Sequence, residues 1–189
     1  MSIPRFAVPF FVLCLSAVAC SEAVPVASEG AYVVSFLATP SAGKTCKITS
    51  HNAQIGGVTA SALDLLKKDT VDGAKVQCSV TANGASFSAS GIIEDGSGNH
   101  FDFVIPSISA SATEAAPALG NIGFRSPTTV ALYRAPAETA CKFWFTGNEQ
   151  LAAGLIWVSF KCDAISDLGH DSSCQITAGS ALAMQNCDQ

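Results

Sequence analysis

Cys20 ends the stretch Ser16-Ala17-Val18-Ala19-Cys20 at the close of a hydrophobic leader in this 189-residue chain. A cysteine at that position can take lipid on its thiol and then become the new N-terminus. Ala17-Val18-Ala19 equally suits cleavage by ordinary signal peptidase, which would export the chain without lipid. Cys14 leaves with the leader on either path. If Cys20 carries lipid, an even set remains: Cys46, Cys78, Cys141, Cys162, Cys174 and Cys187. Such a set can close three bridges in an oxidising compartment.

Other residues hold the right atoms for chemistry but in weaker patterns. His170 lies among Cys162, Cys174 and Cys187, yet C-x-x-C spacings are absent and oxidised thiols do not bind zinc, so no metal is expected. Asp95-Gly96-Ser97-Gly98-Asn99 with Asp102 has calcium-type oxygens without the twelve-residue loop or its closing Glu, and reads as a polar hairpin turn. His170-Asp171-Ser172 has the residue types of a hydrolase, but adjacent residues seldom converge as a triad and no G-x-S-x-G elbow occurs. His51 and His100 have no evident nucleophile beside them. Glu94 and Asp95, as neighbours on a strand, would point to opposite faces. No phosphate loop, dinucleotide fingerprint or basic-aromatic surface is present, so no cofactor and no nucleic acid is expected.

The elements that must position these residues follow from composition and pattern. Residues 1–19 carry Arg5 and then an apolar run too short to span a bilayer, a cleaved signal peptide. Residues 20–30 read as the lipidated N-terminus and a tether reaching roughly 30 Å when extended. Residues 31–189 are then one domain. Charged residues are only 13% of the chain, and losing Arg5 moves the formal charge from −5 to −6. That balance argues against nucleic acid or an anionic bilayer surface as the main partner. Beyond the leader no apolar run is long enough to cross a membrane.

Short β-branched and aromatic runs separated by turn residues predict an all-β domain, a sandwich or barrel-like fold of about ten antiparallel strands. Strands are expected at 31–37, 45–49, 71–80, 85–94, 100–109, 128–134, 141–145 and 155–162, with a last pair at 174–178 and 181–187. Phe87, Ala89, Gly91 and Ile93 alternate on one side of the clearest hairpin, and Phe101, Phe103 and Ile105 answer them on the return. Residues 61–69 are the one helix candidate, and 111–127 the longest loop. Hairpin symmetry predicts Cys141–Cys162 about a turn near 151–152, and Cys174–Cys187 about a turn near Ser180-Ala181. Cys46–Cys78 is then left over.

In that hairpin Cys141, Phe143 and Phe145 share the core face with Cys162, Phe160, Val158 and Ile156. The other face shows Lys142 and Trp144 beside Lys161, Ser159 and Trp157. Opposed lysines favour water, so Trp144, Trp157, Lys142 and Lys161 form a candidate platform for sugar rings, best suited to an acidic polysaccharide. The alternative is that a loop, 111–127 among them, covers both rings.

Val71-Asp72-Gly73-Ala74-Lys75-Val76-Gln77-Cys78-Ser79-Val80, Ile156-Trp157-Val158-Ser159-Phe160-Lys161-Cys162, and Cys174 through Gly179 to Gln185-Asn186-Cys187 resemble a family of uncharacterised predicted lipoproteins known chiefly from myxobacterial genomes. Ser16-Ala17-Val18-Ala19-Cys20 likewise resembles a bacterial lipobox, with Ala17 where Leu is usual. The resemblance implies a bacterial cell envelope and the cysteine framework, and assigns no activity. Ser21 after the lipidated cysteine, in place of Asp, implies the outer membrane. The expectation is a non-catalytic, lipid-anchored envelope protein that binds a glycan or another protein. A purely structural lipoprotein and a small extracytoplasmic hydrolase are the alternatives.

Overall fold

The computed structural model describes residues 26–169 and 171–189. The leader, Cys14, Cys20 and His170 lie outside the described residues.

Fourteen strands and no helix occur among the described residues. In chain order they are β1 (Glu29–Leu37), β2 (His51–Ile55), β3 (Gly57–Val58), β4 (Leu63–Leu65), β5 (Lys67–Lys68), β6 (Lys75–Asn83) and β7 (Ser86–Glu94). There follow β8 (His100–Ile108), β9 (Ala118–Arg125), β10 (Tyr133–Arg134), β11 (Cys141–Trp144), β12 (Leu151–Ala152), β13 (Leu155–Asp167) and β14 (Ser173–Gln185). All but β3 and β4 belong to one antiparallel sheet ordered β2-β1-β14-β13-β10-β9-β8-β7-β6. β11 shares with β10 the place between β9 and β13.

The sheet folds over on itself. Its β2-β1-β14-β13 half packs face to face on its β9-β8-β7-β6 half, a sandwich made by one continuous sheet. Aromatic rings bridge the halves: Tyr32 stacks on Phe101 at 4.9 Å, Phe101 meets Phe160 at 5.4 Å, and Phe36 meets Phe124 at 5.7 Å. At Gly91 the halves come so close that a Cβ there would fall 2.5 Å from Met184 Sδ. The seam is stitched where β6 meets the residues after β14. Val80 N donates to Asp188 O at 2.8 Å, and Asp188 N donates to Cys78 O at 3.0 Å.

The β7–β8 hairpin and the β11–β13 pairing match the alternation in their sequences. Lys142 opposes Lys161 and Phe143 opposes Phe160, with Cys141, Phe143, Phe160 and Val158 fully inside. All six cysteines from Cys46 to Cys187 are bonded, but as Cys46–Cys174, Cys78–Cys187 and Cys141–Cys162. The expected Cys174–Cys187 and Cys46–Cys78 bridges are therefore replaced. The cause is β14, a single 13-residue strand where two were expected. Cys174 and Cys187 sit at its opposite ends, on the order of 40 Å apart at the rise of an extended chain. Gly179 marks a bulge, not a turn: Thr177, Ala178 and Gly179 loop out while Ser180 Oγ accepts Ser35 N at 2.9 Å.

Other boundaries also move. Residues 61–69 form β4 and β5 in place of a helix, because Lys67 and Lys68 pair with Gly30 and Glu29. β1 starts at Glu29, within the expected tether. Residues 45–49 hold no strand; Cys46 is fixed there by its bridge. β9 occupies what reads as the longest loop. Residues 128–130 are a turn in which Ser126 and Thr129 exchange side-chain-to-amide bonds, leaving only Tyr133 and Arg134 as strand.

Candidate functional site

The expected platform is not open. Trp157 is 7% exposed and Trp144 3%. The β3–β4 hairpin lies on the outer face of β1, β14 and β13, and its Val58 packs on Trp157, Ala31, Ala181 and Ala183. Its Thr59 carbonyl accepts the Trp157 Nε1 proton at 2.9 Å. Over Trp144 the Lys161 ammonium sits 5.7 Å from the ring centroid. The loop before β9 is tied down beside it, through Phe145 N to Ala112 O and Lys161 Nζ to Glu114 at 3.0 Å. Lys142 is paired with Asp163. Each cation thus has a carboxylate partner, and neither ring is free to stack on sugar. The tryptophan–lysine platform for an acidic polysaccharide is set aside on these grounds.

Glu149 completes the cover. Burial pushes its carboxyl up. Bonds from its own amide, the Thr146 amide, the Ser159 hydroxyl and the Thr146 hydroxyl outweigh that and hold it below the usual carboxylate range.

The Asp95 turn binds itself. Burial raises the Asp95 carboxyl, but Asn99 and Ser97 donate to it through side chains and backbone, leaving it lowered. Its oxygens are occupied within the turn. Among the described residues no group of three or more His, Cys, Asp or Glu could hold a metal ion.

The open surface is the outer face of β6, β7, β8 and β9. Antiparallel register sets its side chains in rows. Lys75, Glu94, His100 and Arg125 make one row. Gln77, Ile92, Asp102, Gly123 and Arg134 make the next, and Ser79, Ser90, Val104 and Asn121 a third. The first two rows form a fixed charged wall. His100 Nδ1 lies 2.6 Å from Glu94 and Nε2 2.7 Å from Asp102, and Arg134 grips Asp102 with both terminal nitrogens at 2.9 and 3.1 Å. The His100 bond, against burial and with help from Lys75, holds Glu94 below the usual range. Gly123 makes this possible: a Cβ there would fall on Asp102 Oδ2 and lie 3.0 Å from the Arg134 guanidinium carbon.

With both imidazole nitrogens bonded to carboxylates, His100 is not free to act as a base toward a ligand. The carboxylates stand on opposite sides of its ring, so the three do not converge on one ion.

Beside it runs a shallow groove of about 520 Å³, floored by the small residues Ser79, Ser90 and Gly91 with Ile92 and Val104. Gln77 and Asp102 line it, and Ser28, Asp69 and Asp188 close its end at the seam. Sequence reasoning missed the groove because its residues come from three strands and three segments between or beyond strands. The alternation of β7 and β8 was legible, but not which outward rows would align.

Three disulfides, with no free thiol among the described cysteines, point to an oxidising, extracytoplasmic compartment. No family model matches the chain, nor does any curated protein or any solved structure.

Proposed function

We propose that this is a non-catalytic envelope protein, anchored by lipid on Cys20 in the bacterial outer membrane, that holds a neutral glycan in the β6–β8 groove. The observation that carries the reading is the groove itself. It is shallow, floored by hydroxyls and small side chains, with an amide in Gln77 and apolar spots at Ile92 and Val104. A hydroxyl-rich polymer meets such a surface by many modest bonds and contacts. Asp69 and Asp188 on its rim repel an acidic chain, so the ligand is neutral. The saturated charged wall fits a binding surface better than an acid–base centre. The leader, the cysteine after it and the bridged domain support an exported location.

The test has two parts. Mass spectrometry of the native protein should find the mature N-terminus at Cys20 carrying acyl groups, and Cys20→Ser should release the protein from membranes. Calorimetric titration of the purified protein should give saturable binding to neutral polysaccharides but not to acidic ones. Ser90→Tyr, which fills the groove, should weaken binding at least tenfold. Absence of binding to every polysaccharide would leave a purely structural envelope role.

A further inference from the structure

We propose that the β3–β4 hairpin is the face this domain lays on a zwitterionic bilayer. The inference rests on the acylation of Cys20. Val58 and Leu66 of the hairpin region turn toward Trp157 and the sheet. Leu63 and Leu65, both on β4, are 37% and 57% exposed.

The anchor lies close by. Lys67 and Lys68, just after Leu65, pair with Gly30 and Glu29 at the start of β1. The chain from Cys20 to Val26 spans six residues. Fully extended it reaches about 20 Å, so an acylated Cys20 keeps this end of the domain near the headgroups. A tether that short gives even a small apolar contact a high effective concentration at the surface. The contact is apolar rather than electrostatic, since Asp64 and Asp72 offset the nearby lysines and the whole chain is acidic.

The hairpin sits on the outer face of β1, β14 and β13. The groove is on the outer face of the half packed against their inner side, and only its end at Ser28 and Asp69, which are bonded to each other at 2.8 Å beside the start of β1, lies near the anchor.

Hydrogen exchange decides this. The acylated full chain is reconstituted in phosphatidylcholine–phosphatidylethanolamine vesicles and compared with Cys20→Ser protein mixed with the same vesicles. Peptides covering residues 59–66 should exchange several-fold more slowly in the anchored protein, while the turn at 83–86, at the far end of β6, should not change. Leu63→Ser with Leu65→Ser should abolish that protection while leaving the anchored fraction intact. Anchored protein with unchanged exchange at 59–66 overturns the docking face and leaves the anchor standing. A native N-terminus without acyl groups overturns both.

Discussion

Cys78 on β6 is bonded to Cys187, two residues past the end of β14, across the seam where the folded sheet meets itself. The bond spans 109 residues of sequence and sits beside the two backbone bonds of Asp188. Closing a loop of that length constrains the unfolded chain by about 4–5 kcal/mol in the entropic account. Cys78→Ala with Cys187→Ala should lower unfolding free energy by about 2–5 kcal/mol in urea and open the seam. Exchange should then speed first at the Cys78–Val80 amides. A loss under 1 kcal/mol would mean that the core alone holds the two edges together.

Gly123→Ala puts a methyl group where Asp102 crosses to Arg134. It should cost about 1–3 kcal/mol, the scale of a charge-assisted bond disrupted in a partly covered place. Arg134→Met, which leaves the glycine and removes an exposed partner, should cost less than about 1 kcal/mol. Equal costs in urea unfolding would show that the glycine matters only by letting Asp102 reach Arg134.

Glu94 makes stability depend on pH at the acid end. Its folded carboxyl is held low, chiefly by the His100 bond. Its contribution is therefore present above the unfolded value of about 4.3 and is lost as pH falls through the folded value. Glu94→Gln should flatten the fall in melting temperature below about pH 4.3, with little change of slope between pH 5 and 7. An unchanged acid limb would place the proton uptake elsewhere.

Trp157→Phe keeps most of the buried ring and removes the bond to Thr59 O. Limited proteolysis should then cut residues 59–66 several-fold faster, with global stability reduced by about 1 kcal/mol. If cleavage rates stay equal, the hairpin is held by apolar contact alone.

Local signals carried part of this structure. Phe87, Ala89 and Ile93 against Phe101, Phe103 and Ile105 spell out the β7–β8 hairpin because one face is core and the other open. Cys141 opposite Cys162 followed from a hairpin whose strands are close in sequence. β14 hid because both its faces are covered, by the core on one side and the β3–β4 hairpin over Ala181 and Ala183 on the other, so its residues do not alternate. Gly179 then imitated a turn. β9 hid for a different reason: Gly120 and Gly123 look like loop residues, but Phe143 and Val104 crowd the first and Asp102 the second. Those demands come from other strands and cannot be read in the segment itself. The same holds for Trp144 and Trp157, whose covers lie dozens of residues away.

The position of β14 has a consequence for how the molecule is made. It is the last strand of the chain, yet it is the partner of β1, the first. A chain emerging N-terminus first can pair β1 early with β2 and β5, but must leave its β14 edge open until nearly everything else has appeared. Cys46 and Cys78 emerge early and lie only 32 positions apart, while their true partners, Cys174 and Cys187, come last. An oxidant acting on the growing chain would therefore join the wrong pair. Any such early bond must be exchanged before the native form is reached, and a stop codon placed just before residue 173 should yield a Cys46–Cys78 species that never reaches the native form.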